Sequence, residues 1–232
     1  MTEKRVDYGA HDEAYRQFRA EGREGWDTAE VAERTLSEWA DALQSEHVPN
    51  RGRTLELGCG AGNLSLWLAG KGYDVSGVDI SLTAIEWARE KAQARGLQAA
   101  FSVGNVLDLR EYPDAAFDLV LDGHCLHCII GDDRRLFFQA ARRALRPGGC
   151  LVVQTMCGAP ARGWPQDHFD PQSRCIIRDD GLVVRYLGMP DDIVQEVLDS
   201  GLRAKDWTVL PARSEEDQDT LLLYAVRPGR ID

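Results

Sequence analysis

One short stretch, LELGCGAGN (Leu55 to Asn63), restricts this chain more than any other. An apolar run that reads as a β-strand stops at Gly58. Gly58, Gly60 and Gly62 then separate it from NLSLWLAGKG, which reads as a helix. Glycine takes left-handed backbone at no steric cost and lets another group approach the main chain closely. A strand, a glycine turn and a helix N-terminus in that order set backbone N–H groups towards a polar ligand. Asp79 ends the next apolar run, YDVSGVDI, 21 positions beyond Gly58. A carboxylate at such a strand end can accept both hydroxyls of a ribose.

The alternation continues beyond Asp79. AAFSVGN, FDLVLD and CLVVQTMC read as strands. One helix is predicted between them from Ser81, as N-cap, to Gly96. Another runs from Asp132 to Leu145, with Leu136, Ala140 and Ala144 on its apolar stripe, and stops at RPGG. Strands and helices of this length alternate in βαβ units, which give a parallel sheet with right-handed crossovers. Residues 10–47 read as helical, broken at EGREGWD. After Cys157, GAPARGWPQDHFDPQS reads as a loop or lid, and RCIIRDDGLVVRYLG as a hairpin turning at DDG. PDDIVQEVLDS reads as a helix, and AKDWTVLP and TLLLYAV as closing strands around the polar turn ARSEEDQD.

The 232 residues are 44% hydrophobic, enough for one domain with a substantial core. A formal net charge of −11 repels phosphate backbones and anionic lipid, which argues against nucleic acid and membrane as partners. Arg134, Arg135, Arg142, Arg143 and Arg146 cluster, but the residues between them fit a solvated helix face. MTEKRVDYGAHDEAYRQF lacks the apolar core of a signal peptide, and no apolar run is long enough to span a bilayer. The six cysteines are therefore expected as reduced thiols and the location as cytoplasmic.

Loop and carboxylate together call for a nucleoside-bearing cofactor, either a nicotinamide dinucleotide or S-adenosylmethionine. The ordered motifs LELGCGAGN, GVDIS, FDLVLD…LH and LRPGG, across residues 53–158, resemble those of the class I S-adenosylmethionine-dependent methyltransferases. The resemblance implies an α/β fold: a Rossmann-like seven-stranded, mostly parallel sheet sandwiched by helices. An N-terminal helical cap and an inserted β-hairpin lid complete it. One domain is expected over 1–232, with cap 1–50, cofactor core 51–158, lid 159–190 and closing segment 191–232. The resemblance also implies S-adenosyl-L-methionine as cofactor. Glu56, Gly58 and Gly60 then border its methionine part, Cys59 and Asn63 belong to the same cofactor-binding set, and Asp79 holds the ribose. Ile80 and Val106 pack on the adenine. Asn105, where the family usually has an acid, accepts from the adenine amino group. Asp122 lies beside the methyl group. The family's proline–aromatic signature for nucleic-acid amines is missing, and DGHC stands in its place.

The run after Asp122 holds His124, Cys125, His127 and Cys128 in five positions. Three readings compete. Cys125 and Cys128 can be small core residues around a hydrogen-bonded His127. His127, or secondly His124, can be the catalytic base that takes a proton from an acceptor. Cys125, Cys128, Cys157 and Cys175 can be thiolates that capture a metalloid. No structural metal site is expected, because the single C-x-x-C lacks a second pair. Tyr15 and Trp26 in the cap and His168 in the lid are the candidate substrate-binding residues. The expected reaction is in-line transfer of a methyl group to an O, N or S atom of a small molecule, by a monomer or homodimer. The rivals are a nicotinamide-dependent oxidoreductase, a methyltransferase of a thiolate-bound metalloid, and a non-catalytic S-adenosylmethionine or metal binder.

Overall fold

The computed structural model describes residues 4–229. Five strands run parallel: β1 (Arg53–Leu57), β2 (Asp74–Asp79), β3 (Ala100–Val103), β4 (Phe117–Gly123) and β5 (Leu145–Met156). The sheet order is β3-β2-β1-β4-β5-β10-β9. β10 (Thr220–Val226) is antiparallel to both β5 and β9 (Arg203–Leu210). This is the expected seven-stranded, mostly parallel sheet. The chain progresses outwards from β1 in one direction through β2 and in the other through β4. The β1/β4 boundary is therefore the switch point, where open α/β sheets leave a crevice beyond the strand carboxyl ends.

Local signals explain the helices on its two faces. Thr28 caps α2 (Ala29–Ala42) by accepting from Val31 N–H. In α4 (Leu82–Arg95), the Ser81 hydroxyl accepts from Ala84 N–H at 3.0 Å, and Gly96 ends the helix in left-handed backbone. Both were expected from the sequence. α3 (Asn63–Gly70) is almost wholly apolar and is buried between the sheet and α2, whose Trp39 has no exposed surface. The stripe of α5 (Asp133–Ala144) differs from expectation. Ala140 and Ala144 are buried as expected, but Leu136 is 37% exposed, and Phe137, Phe138 and Ala141 complete the core face. The aromatic pair sets the helix rotation because two phenyl rings bury more apolar area than one leucine.

The cap consists of α1 (Ala10–Ala20) and α2, separated at the expected glycines. The lid is a three-stranded antiparallel sheet: β6 (Phe169–Asp170), β7 (Cys175–Ile177) and β8 (Val183–Tyr186). Its β6 strand falls inside the stretch read as loop. Cap and lid are joined: Arg5 N–H donates to Gly181 O at 3.1 Å, and Val183 N–H to Arg5 O at 2.9 Å. α6 (Pro190–Asp199) then leads into β9.

Candidate active site

The glycine loop is stitched to the end of β2. Gly58, Gly60 and Gly62 have φ of +67°, +51° and +75°, the region that favours glycine. Cys59 N–H donates to Val78 O at 3.0 Å, and Gly60 N–H to the Asp79 carboxylate at 2.9 Å. The other Asp79 oxygen accepts from Ser81 N–H at 2.8 Å. Each oxygen keeps a lone pair for a further donor.

Three buried carboxyl groups come from three adjacent strands: Glu56 of β1, Asp79 of β2 and Asp122 of β4. Burial pushes Glu56 up to about 8, with Asp79 and Asp122 adding to the shift and the Ser65 hydroxyl opposing it. Burial likewise raises Asp79 and pushes Asp122 up to about 7. One Asp122 oxygen is buried without a hydrogen-bond partner. Buried carboxyl groups raised in this way are stabilised as anions by a cation placed near them.

Beside Asp79 and Glu56 lie two adjoining hollows. The larger, of about 380 Å³, runs from Asp79, Ile80, Asn105 and Val106 past Tyr15 and Trp26 to His124 and His127. The smaller, of about 100 Å³, lies among Glu56, Gly58, Cys59, Gly60 and Asn63. Tyr15, Trp26 and Gly58 border both. The structure thus gathers nearly all of the residues expected around a cofactor. Ile80 is 40% exposed, an apolar face open for a planar ring. The Asn105 carbonyl oxygen accepts from Leu107 N–H at 2.9 Å, and the Asn63 oxygen from Lys91 at 2.7 Å. Cys59 is a buried thiol, raised well above its ordinary pKa by burial.

Asp122 departs from its expected place. It borders neither hollow, and one oxygen accepts from Cys125 N–H and Leu126 N–H, both at 2.9 Å. It therefore holds the 3-10 turn Leu126–Cys128, which carries His127. A buried acceptor at the end of β4 satisfies the free N–H groups of the turn that follows.

His124 and His127 both line the larger hollow, with ring centroids 5.9 Å apart. Burial, then the Arg34 charge, pushes His124 down to about 4. Burial, then Arg185, drives His127 well below its usual value. Both rings are neutral near pH 7, and His127 Nδ1 is buried without a partner. Cys125 and Cys128 line the same hollow as thiols, pushed up by burial, Cys128 to about 11. Cys157 and Cys175 lie elsewhere, raised by burial, Cys157 to about 12. Among the described residues no three His, Cys, Asp or Glu side chains form a metal-holding group.

From the cap, Tyr15 and Trp26 meet edge to face at 5.5 Å and wall the cavity. His168 borders neither hollow; it faces Asp179 within the lid at 3.2 Å, so the substrate assignment made for it loses its basis. The sequence did not single out the opposite rim. Arg34 pairs with Asp217 at 2.9 Å and Arg213 with Glu38 at 3.0 Å, tying α2 to the β9–β10 turn across the cavity mouth. That turn reads as ordinary polar loop, and only charge complementarity with α2 hinted at its place.

Residues 55–153 match the methyltransferase domain family. The strand order and the glycine loop agree with this match and support a class I S-adenosylmethionine-dependent methyltransferase domain over that part of the chain. Ajmaline N-methyltransferase of Rauvolfia serpentina is 37% identical over 103 residues, 43% of this chain and 34% of that protein. The chain spans between 23% and 45% of the length of other curated relatives it matches. A solved structure concerned with conversion of a disulfide bond into a thioacetal group during echinomycin biosynthesis is similar along nearly the whole chain. Its TM-score is 0.69 at 26% identity, covering 96% of this chain and 93% of the other. The Burkholderia thailandensis 1,6-didemethyltoxoflavin-N1-methyltransferase, with bound 1,6-didemethyltoxoflavin and S-adenosylhomocysteine, shares the fold. There the TM-score is 0.70 at 19% identity, over 95% and 86% of the two chains. No helix among the described residues is long and apolar enough to cross a membrane.

Proposed function

We propose that this protein transfers a methyl group from S-adenosylmethionine to an oxygen, nitrogen or sulfur nucleophile of a small molecule. The observation that carries the reading is the pair Glu56 and Asp79, buried acids that border the two adjoining hollows beside a glycine loop. The group fits these residues: its positive charges answer the buried acids, its ribose the free lone pairs of Asp79, and its adenine the open face of Ile80. When bound, it supplies a methyl group already activated on a sulfonium.

The chain's own residues do the rest. Asp79 and Glu56 hold the two polar ends, while Ile80 and Val106 supply apolar walls. The cap and the Arg34–Asp217 contact exclude water and fix the acceptor's approach. Neutral His127, or secondly His124, takes the proton that an acceptor hydroxyl, amine or thiol gives up. The enclosed, partly aromatic cavity suits a small molecule and not a macromolecular surface. The metalloid reading finds no support, since only Cys125 and Cys128 share the hollow and all four cysteines favour the thiol form. The cap, core, lid and closing segment are read as one catalytic unit, and six free thiols accord with a cytoplasmic location.

Calorimetry with S-adenosylmethionine and S-adenosylhomocysteine, with NAD as control, tests the cofactor. Micromolar binding that Asp79→Ala abolishes is expected; preference for NAD would overturn the reading. A screen of phenols, carboxylates, amines and thiols then tests transfer.

A further inference from the structure

The larger hollow has three arginines in its wall, and they differ in one respect. Arg34 is neutralised by Asp217 and Arg213 by Glu38. Arg185, on β8, lies over the Trp164 ring at 5.4 Å and has no ion-pair or hydrogen-bond partner for its guanidinium among the described residues. Its Nε is buried with nothing to donate to. A buried N–H without an acceptor costs free energy, and a guanidinium without a counter-charge costs more. Asp27, Glu38, Asp79 and Asp217 also line this hollow, but none of the described acidic residues pairs with Arg185.

The surroundings say what would answer that charge. His127, whose Nδ1 is also buried without a partner, lies near enough for Arg185 to be the first charge acting on it. A planar fork of N–H donors matches two oxygens of a carboxylate, or the single oxygen of an ionised hydroxyl. His11, Tyr15 and Trp26 wall the same hollow, with His11 and Tyr15 centroids 5.7 Å and 5.5 Å from Trp26, a boundary that suits a flat ring.

We propose that Arg185 anchors an anionic oxygen of an aromatic methyl acceptor, orienting it beside His127. The proposal rests on the methyltransferase reading and narrows it to aromatic acceptors that carry a carboxylate or ionised hydroxyl. The cofactor's own carboxylate is the other source of such an oxygen. Arg185 does not border the smaller hollow around Glu56, Gly60 and Asn63, where the methionine end is assigned.

Benzoate and benzamide share size and shape and differ in charge. Their binding is followed by ligand-observed NMR, to free protein and to protein loaded with S-adenosylhomocysteine. Benzoate is expected to bind about tenfold more tightly than benzamide, the scale of a charge-assisted pair. Arg185→Gln should remove the preference and Arg185→Lys restore part of it, because a point charge keeps attraction without the fork. Affinity for S-adenosylhomocysteine, read by calorimetry, should be the same in all three proteins, which also reports their folding. Absence of benzoate binding, equal binding of the two probes, or a preference that survives Arg185→Gln would overturn the anchor. A loss of S-adenosylhomocysteine affinity in Arg185→Gln would assign the arginine to the cofactor and overturn it as well. If S-adenosylhomocysteine fails to bind wild type, the methyltransferase reading falls, while the probe preference on free protein still decides the anionic site.

Discussion

The Asp12 carboxylate accepts a hydrogen bond from the Ser81 hydroxyl at 2.7 Å, and the same oxygen accepts from Thr83 N–H at 2.9 Å. The cap helix α1 is thereby fastened to the N-terminus of α4, two residues beyond Asp79. A carboxylate at a helix N-terminus is favoured by the free N–H groups and the helix dipole.

Asp12→Ala should therefore open the cap. A stability loss of about 1 kcal/mol is expected, with weaker binding of S-adenosylhomocysteine. Despite partial burial, the Ser81, Thr83 and Arg16 hydrogen bonds hold Asp12 well below the ordinary carboxylate range. A depressed acid stabilises the fold above its unfolded pKa and loses that contribution as pH falls through the folded one. Thermal melts across acid pH should show this loss beginning only below about pH 4 in wild type and absent from the variant.

Glu56 works in the opposite sense. Its folded pKa of about 8 lies above the unfolded value, so the folded state holds the proton more tightly. Stability of the cofactor-free protein should then fall as pH rises from the ordinary carboxylate range towards 8. Glu56→Gln should flatten that slope and raise the melting temperature at pH 8, while weakening cofactor binding about tenfold or more. Binding of a cation should also expel protons at pH 7. Calorimetry in two buffers of different ionisation enthalpy measures the count, and uptake would contradict the scheme.

Replacing Asp122 separates its two atoms. Asp122→Asn keeps an oxygen for Cys125 N–H and Leu126 N–H and should preserve the turn that presents His127. Asp122→Ala strips both bonds and should lower turnover much more, by roughly tenfold relative to the amide variant. Single-turnover rates at saturating cofactor distinguish them.

The histidines offer a pH test. With His124 at about 4 and His127 well below its usual value, neither ring gains a proton between pH 6 and 8. If either is the base, its protonation should cause no loss of single-turnover rate around pH 6.5. His127→Gln should slow transfer by about 100-fold if His127 is the base, whereas a change within about threefold would leave alignment as the source of rate.

Much of this architecture could be read from local pattern. Ser81 and Gly96 bound α4 because capping is a matter of a few consecutive residues. The glycine loop and Asp79 were equally legible, since strand, turn and carboxylate follow in one segment. The unread parts depend on remote partners. Arg34 and Asp217 are 183 positions apart, and neither neighbourhood predicts the other. The β6 strand is two residues long and exists only because β7 pairs with it. The place of Asp122 away from the hollows is unread for a related reason, since the N–H groups that donate to it lie in a turn whose path the sequence leaves open.

The position of β10 has a consequence for how the protein is made. β10 follows β9 in sequence and is the last strand among the described residues, yet it lies between β5 and β9, not at a sheet edge. During synthesis the edge of β5 stays open until residues 220–226 emerge, and the Arg34–Asp217 contact cannot form before the same segment arrives. A nascent chain that already contains the whole glycine loop thus still lacks the closed cavity. Chaperone contact at that exposed strand edge should persist until residues 220–226 clear the ribosome.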